Sequence, residues 1–164
     1  MLGTIHSPGN LGSIIRTSEA VGGAGLICLD QETDPYDPAS VRATMGAIFS
    51  QEFVRAGPAE FARWKARNGI QVIGTSPGAE RTYREVGYSR RAAIFMGSER
   101  RGMSDIEARL CDAVVRIPMV GRTDSLNVAV ATGVMLYELF GQQYGHGIPG
   151  GSTNSPPAAS CPAD

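Results

Sequence analysis

Short apolar runs alternate with amphipathic stretches along this chain, and this alternation constrains the fold more than any other feature of the sequence. Four of the runs are typical of β-strands: Leu26–Leu29, Ile70–Ile73, Ala92–Met96 and Ala113–Ile117. A further short strand is expected at Leu2–Ile5. Strands that are separated by helices form parallel sheets, and the helices cover both faces. The sequence therefore predicts an α/β fold with a mostly parallel sheet and helices on both faces.

Capping and turn residues place the predicted helices between the strands. Asn10 is positioned to cap a helix over Leu11–Val21, which a pair of glycines then ends. The segment Glu60–Asn68 predicts a further helix, directly before the strand at Ile70. Pro38 is positioned to open another, which runs through Val41, Arg42, Met45 and Ile48.

The last predicted helix, Ser125 to Gly141, has Glu138 as its only charged side chain. One face carries Val128, Ala131, Thr132, Met135, Leu136 and Leu139. Other sides of the helix carry Val130, Val134 and Tyr137. A helix that is apolar nearly all round must be covered nearly all round. We therefore predict a homodimer with a two-fold interface on this helix.

Length and composition bound the class of protein. A chain of 164 residues fits one α/β domain, which we place at residues 1–144. Residues 145–164 are rich in Gly, Pro and Ser, a composition that builds no core, so we predict a disordered tail. No apolar run approaches the roughly 20 residues of a membrane helix, and the start lacks the pattern of a secretory signal. We therefore expect a cytoplasmic protein with no membrane partner.

Three segments combine turns with polar residues that can either cap a following helix or face a ligand. They are His6–Gly22 (HSPGNLGSIIRTSEAVG), Ile94–Asp105 (IFMGSERRGMSD) and Arg116–Asn127 (RIPMVGRTDSLN). In this order and at this separation, they closely resemble the three signature motifs of the SpoU/TrmH family of RNA 2′-O-ribose methyltransferases, in the SPOUT superfamily. The resemblance spans roughly Ile5 to Phe140. Many members carry a separate N-terminal RNA-binding domain, so the sequence is expected to be a minimal catalytic domain or a piece of a longer protein.

The resemblance implies an enzyme that moves a methyl group from S-adenosylmethionine to a ribose 2′-hydroxyl of structured RNA, either tRNA or rRNA. It also implies a C-terminal trefoil knot, in which the segment after Ile117 is threaded through a preceding loop. In matching relatives the cofactor lies against the knot loops. The cofactor-binding residues that this implies are Thr75, Gly97, Ile117, Met119 and Leu126. A glycine allows close backbone approach, and the apolar side chains suit an adenine.

Arg16 matches the position of the family's catalytic arginine. Because a free guanidinium is effectively never deprotonated, we expect Arg16 to orient the hydroxyl and stabilise developing alkoxide charge, and the proton acceptor stays open. The other polar positions that match the family are Asn10, Glu99, Ser125 and Asn127. Glu99 is a candidate to hold Arg16 in place. Without the resemblance, Asn10 and Ser125 are explained as helix caps and Glu99 as a surface carboxylate.

The charge of the chain is nearly balanced, with a formal net charge of −1, which argues mildly against RNA as a partner. Arginine is nevertheless strongly preferred over lysine, and its planar guanidinium suits phosphate and base stacking. A GC-rich genome that encodes arginine in place of lysine explains most of these side chains equally well. Four of the arginines that lie inside the motifs are expected to meet RNA: Arg16, Arg100, Arg101 and Arg122.

Other enzyme classes fit the sequence poorly. The segment Gly74–Gly78 matches the G-x-S-x-G pattern of a hydrolase, but Pro77 has no N–H to donate to an oxyanion. Neither a dinucleotide-binding nor a phosphate-loop glycine pattern is present. His6 and His146 are isolated, and the three cysteines lack metal-ligand spacing, so no metal is expected. A non-catalytic RNA- or cofactor-binding relative, acting as an accessory subunit, stays open as the alternative function.

Overall fold

The computed structural model describes residues 1–29 and 32–145, which form alternating helices and short strands. The strands are β1 (Gly25–Cys28), β2 (Glu52–Arg55), β3 (Gln71–Thr75), β4 (Ala92–Phe95) and β5 (Ala113–Val115). The α-helices are α1 (Pro8–Ala20), α2 (Pro38–Ala43), α3 (Pro58–Asn68), α4 (Asp105–Leu110) and α5 (Val128–Tyr144). A 3₁₀ helix, Ala47–Ser50, precedes β2.

All strand pairs are parallel, as the alternation of strands and helices predicts. β1 pairs with β2, and β3 lies between β4 and β5. Leu2 joins the two groups, because it bridges Cys28 of β1 on one side and Met96, directly after β4, on the other. The strand predicted at Leu2–Ile5 is wrong beyond this one residue, since the Ile5 N–H donates to the Thr33 hydroxyl at 3.1 Å.

Helices cover both faces of the sheet, which confirms the predicted layers. Ile73 and Ile94 pack on one face with side chains of α1 and α5, including the fully buried Ile15. Their sequence neighbours Val72 and Phe95 pack on the opposite face. There they meet residues of α3 and α4 such as Phe61. Successive strand side chains point to opposite faces, so each strand contributes to both cores.

The first helix begins earlier than predicted, and Asn10 does not cap it. The cap is Ser7, whose hydroxyl accepts the Asn10 N–H at 3.4 Å, and Pro8 opens the helix. Asn10 therefore lies inside α1, and its side chain is free for other partners. The helix predicted from Pro38 begins there and includes Val41 and Arg42, but it ends at Ala43. Its predicted extension through Ile48 is wrong, because Met45 and Gly46 both have positive φ, 52° and 93°, and break it.

Two further differences concern a missed strand and the last helix. β2 was not predicted, because Glu52–Arg55 places polar residues at both ends of a short edge strand. α5 begins at Val128 with Asn127 as its cap, so Ser125 does not cap this helix. The helix extends to Tyr144. The tail predicted at 145–164 lies outside the described residues beyond Gly145.

Candidate functional site

A cavity of about 380 Å³ opens beyond the carboxyl ends of the three-stranded part of the sheet. Parallel strands end at the same edge, so the loops that follow β3, β4 and β5 meet there. The cavity is lined by Thr75, Ser76, Pro77, Met96, Gly97, Ser98, Glu99, Arg100, Arg101, Gly102, Met103, Ile117, Met119, Ser125, Leu126, Val128 and Ala131. These residues come from the second and third sequence motifs, from the end of β3 and the loop after it, and from the start of α5.

All five residues expected at a cofactor line this cavity. They are Thr75, Gly97, Ile117, Met119 and Leu126. Met96, in the loop that the resemblance also places against the cofactor, lines the cavity with them. The sequence prediction missed three apolar residues beside them, Met103, Val128 and Ala131. Met103 lies inside the second motif, which was the available signal. The two residues of α5 had been assigned to the core face of that helix.

A tight hairpin from Ser98 to Gly102 forms one wall of the cavity. The Ser98 and Gly102 backbones exchange two hydrogen bonds of 2.9 Å each. The hairpin closes on Gly97, where a Cβ atom would lie 2.3 Å from the Gly102 carbonyl carbon. Only glycine fits this backbone approach. Arg100 and Arg101 are exposed at the tip, beside the cavity mouth.

Glu99 fixes this hairpin to the start of α1. One carboxylate oxygen accepts the backbone N–H groups of His6 at 3.0 Å and Ser7 at 3.2 Å. The other oxygen accepts the side-chain amide of Asn10. Three donors thus converge on one carboxylate, and each such charge-assisted bond is stronger than a neutral one. The second motif is thereby fastened to the first.

The two asparagines extend this connection to the third motif. Asn127 donates its side-chain amide to the Asn10 side-chain oxygen at 3.0 Å. The Asn127 oxygen accepts the N–H groups of Ala129 at 2.9 Å and Val130 at 3.3 Å, which caps α5. A line of side chains, Glu99–Asn10–Asn127, therefore joins all three motifs at one rim of the cavity.

Ser125 and Arg16 lie differently from the other predicted polar residues. Ser125 lines the cavity. Arg16 is exposed on the outer side of α1 and is absent from the cavity lining. Its guanidinium forms no hydrogen bond or ion pair with any residue in 1–29 or 32–145, and Glu99, the suggested anchor of Arg16, contacts the start of α1 instead.

Cys111 lies behind the cavity wall. Its sulfur is 3.9 Å from the sulfur of Met103, which lines the cavity. Burial raises the pKa of the Cys111 thiol to about 11, so the thiol is protonated at neutral pH and is a poor nucleophile. Among the described residues, no group of His, Cys, Asp and Glu could hold a metal ion. None of the described helices is long and apolar enough to cross a membrane.

Comparison with known proteins finds one family for this arrangement of motifs. Residues 1–137 match the model of the SpoU rRNA Methylase family. The chain is 38% identical over 143 residues to a 23S rRNA (uridine(2479)-2′-O)-methyltransferase of Streptomyces viridochromogenes. The aligned region covers 84% of this chain and 50% of that protein. The chain spans about half the length of the curated relatives it matches.

Solved structures share the fold. An AdoMet-bound rRNA methyltransferase from Sinorhizobium meliloti has a TM-score of 0.80 at 42% identity, covering 84% of this chain and 53% of that one. A SpoU methyltransferase from Streptomyces viridochromogenes in complex with AdoMet has a TM-score of 0.81 at 37% identity, covering 88% and 57%. These similarities confirm the α/β fold with parallel strands.

Proposed function

The chain belongs to the SpoU rRNA methylase family, and from this membership we propose that it transfers a methyl group from S-adenosylmethionine to a ribose 2′-hydroxyl of structured RNA, either tRNA or rRNA. The observation that carries the proposal is the cavity described above, whose lining includes all five residues expected at the cofactor. Within this proposal, residues 1–144 are the catalytic domain and the cytoplasm is the place of action.

The residues of the cavity fit the proposed cofactor. A volume of about 380 Å³ lies within the range of roughly 300–1,000 Å³ that is typical of small-molecule sites. Ile117, Met119 and Leu126 would hold the adenine, and the Gly97 backbone and the Thr75 hydroxyl would hold its polar end. When bound, S-adenosylmethionine supplies an electrophilic methyl group. The protein's own task is then to position the RNA hydroxyl and to stabilise its developing charge.

The polar residues divide this task between them. Ser125 lines the cavity, and Asn127 lies two residues further on at the start of α5. We assign both to the ribose or phosphate of the RNA. Asn10 and Glu99 hold the rim together and keep Asn127 oriented through the bond of 3.0 Å. Arg16 orients the hydroxyl and stabilises the alkoxide charge that develops as the new bond forms.

The position of Arg16 on the outer side of α1 supports a homodimer in which Arg16 acts at the cavity of the partner subunit. One side of α5 borders the cavity, which Ala131 lines. Another side of α5 faces α1, because a Cβ at Gly133 would lie 3.8 Å from Thr17. Val130 and Tyr137 project between these two sides and are 55% and 57% exposed. A second copy that covers them would border both the cavity and α1.

This assembly is tested by light scattering of the chain at micromolar concentration. The unmodified chain should be a dimer, and Tyr137→Glu should give a monomer, because a carboxylate cannot be buried unpaired in an interface. Glu60→Gln, a charge change on exposed α3, is the matched control and should stay dimeric. A monomeric unmodified chain would contradict the assembly and the role proposed for Arg16.

We further propose that the loops around the cavity form a trefoil knot, with the segment after Ile117 threaded through a preceding loop. The end of β5 supports this. Directly after β5, the backbone of Arg116 pairs with the connection between β3 and β4 and no longer with β3. The Arg116 N–H donates to the Arg81 carbonyl at 2.9 Å, and the Arg116 carbonyl accepts the Tyr83 N–H at 3.0 Å. A crystal structure that traces this threading is the test.

The proposed activity is tested by methyl incorporation from labelled S-adenosylmethionine into RNA from cells that lack the gene. We expect incorporation, and mapping of 2′-O-methyl positions then identifies the RNA and the nucleotide. Calorimetry measures cofactor binding in parallel. Cofactor binding without incorporation into any unmodified RNA would favour the accessory-subunit alternative.

A further inference from the structure

A second exposed surface lies beside the crossing of α1 and α2. It consists of Arg16, Arg42, Met45 and Phe49, and we call it the Phe49 surface. Phe49 is 90% exposed and Met45 is 76% exposed. Large apolar side chains that are this exposed and close in sequence mark binding sites more often than isolated ones do. Neither residue lines the cavity, and neither belongs to α5.

The backbone holds Met45 outward at an energetic cost. Met45 is the only residue other than glycine with a positive φ in the described part of the chain, at 52°, and Gly46 follows at 93°. Such a conformation costs free energy in an unbranched L-residue and clusters at functional sites. Met45 has no burial that would compensate, because the turn points its side chain to solvent. A glycine at position 45 would relieve this cost.

Two arginines lie close to the exposed side chains along the chain and across the helix crossing. α1 and α2 cross closely at Gly12, where a Cβ would lie 2.4 Å from the Ala43 Cβ. Arg16 follows Gly12 by one helical turn, and Arg42 directly precedes Ala43, so both arginines lie beside this crossing. Neither guanidinium forms a hydrogen bond or an ion pair within the described ranges of the chain. Glu19, three positions from Arg16, is not paired with it either.

We infer that the Phe49 surface binds an unpaired nucleobase of the RNA, stacked on Phe49 and Met45, with Arg42 on the adjoining phosphate. This inference rests on the proposed function, in which the RNA reaches Arg16. An exposed aromatic ring near arginines that form no ion pair is the combination that single-stranded RNA needs, because bases stack on the ring and phosphates bind the cations. The core of a protein–protein interface is instead depleted of charged residues, which a surface with two arginines does not match.

The first test measures binding of a single-stranded oligouridylate of about ten nucleotides to the whole chain by fluorescence anisotropy. Phe49→Ala should weaken binding about tenfold, since one base–aromatic stack is lost. Met45→Gly should weaken it less and should stay folded, because glycine accepts the positive φ. Ile106→Ala, which shortens another exposed apolar side chain on α4, is the matched control and should bind as the unmodified chain does.

A second test separates base from phosphate. An oligonucleotide of the same length without bases should bind the unmodified chain and Phe49→Ala with equal affinity. Arg42→Ala should lower the affinity for both ligands and should lower the salt dependence of their binding. Phe49→Trp in a Trp64→Phe background places a single tryptophan on the surface. Its fluorescence should be quenched by oligouridylate and not by the ligand without bases.

The outcomes keep the inference separate from the proposed function. Methyl transfer with unchanged oligouridylate binding by Phe49→Ala would overturn the inference alone. Loss of the dimer in Phe49→Ala would also overturn it, because the surface would then belong to a second copy. Weakened binding and base-dependent quenching without methyl transfer to any RNA would support the surface and refute the activity.

Discussion

The cavity rim and the outer side of α1 carry parts of the same sequence motifs, yet they differ in how far the chain completes them. At the rim, Glu99 accepts three hydrogen bonds and Asn127 both donates and caps a helix. On the outer side of α1, the guanidinium of Arg16 forms no hydrogen bond or ion pair with the described residues. The first region is preorganised within the chain itself. The second is, in our proposal, completed by a macromolecule.

This difference matches the needs of two different ligands. A small cofactor must be held against solvent by a site that exists before it binds, because ordering loops around it would cost affinity. An RNA brings its own phosphates, which supply the partners that exposed arginines lack. We therefore expect substitutions at the rim to affect the cofactor and the fold. Substitutions on the outer side of α1 should affect RNA and turnover.

The largest expected effect separates the two regions at Arg16. Arg16→Ala should lower single-turnover methylation about 10²- to 10⁴-fold, as loss of a positioned catalytic group does. Cofactor affinity, measured by calorimetry, should stay nearly unchanged, because Arg16 does not line the cavity. Arg16→Lys should rescue poorly, since lysine lacks the planar fork of donors. Loss of cofactor binding with normal residual turnover would reverse the assignment.

The next effect tests whether the cavity wall is preorganised. Gly97→Ala should weaken cofactor binding about 10- to 100-fold, because the new Cβ would lie 2.3 Å from the Gly102 backbone and force the hairpin open. Gly78→Ala is the matched control, since nothing lies within 4 Å of a Cβ there. Equal cofactor affinities in the two variants would show that the hairpin is not a fixed wall.

A smaller effect is expected from Glu99→Gln, which keeps the shape of the side chain. An amide can accept on one atom only, so either the backbone N–H pair or the Asn10 amide loses its acceptor. The free energy of unfolding should fall by about 1–2 kcal/mol. This corresponds to a lower Tm by roughly 2–8 °C in thermal denaturation. Glu19→Gln, on the exposed side of α1, should leave Tm unchanged.

The last prediction concerns chemical reactivity at Cys111, behind the cavity wall. Its pKa is raised from 9.0 to about 11, so its thiolate fraction at neutral pH is about 100-fold below that of an ordinary thiol. Alkylation at Cys111, followed by mass spectrometry, should be slow at pH 7.5 and should accelerate as the pH rises towards 11. A rate equal to that of a free cysteine peptide would mean that this wall opens to solvent.

Motif residues could be predicted from the sequence because their spacing reports on loops at a common sheet edge. Thr75, Gly97 and Ile117 lie far apart in the chain, yet parallel strands bring their loops together. The roles of Asn10 and Glu99 could not be foreseen in the same way. Asn10 has the side chain of a helix cap, and only the preceding Ser7 and Pro8, which cap and open the helix, release it to contact Glu99.

Local signals failed where tertiary packing decides the backbone. The apolar pattern from Pro38 to Ile48 is helical, but Met45 and Gly46 turn the chain so that the 3₁₀ helix packs against α1. β2 has a weak pattern because it is an edge strand with one neighbour, β1. The outer position of Arg16 was equally hidden, since its motif indicates chemistry and not which side of α1 the side chain occupies.

The pairing of Leu2 between β1 and β4 has a consequence for the order in which the chain folds. Hydrogen bonds from Leu2 to Ile27 and from Gly3 to Met96 join residues that are about 25 and 93 positions apart. Loops of that length close late, because their entropy is lost before the contact is gained. We therefore expect the two halves of the sheet to form separately, and insertion of residues 1–3 to be the step that makes them cooperative.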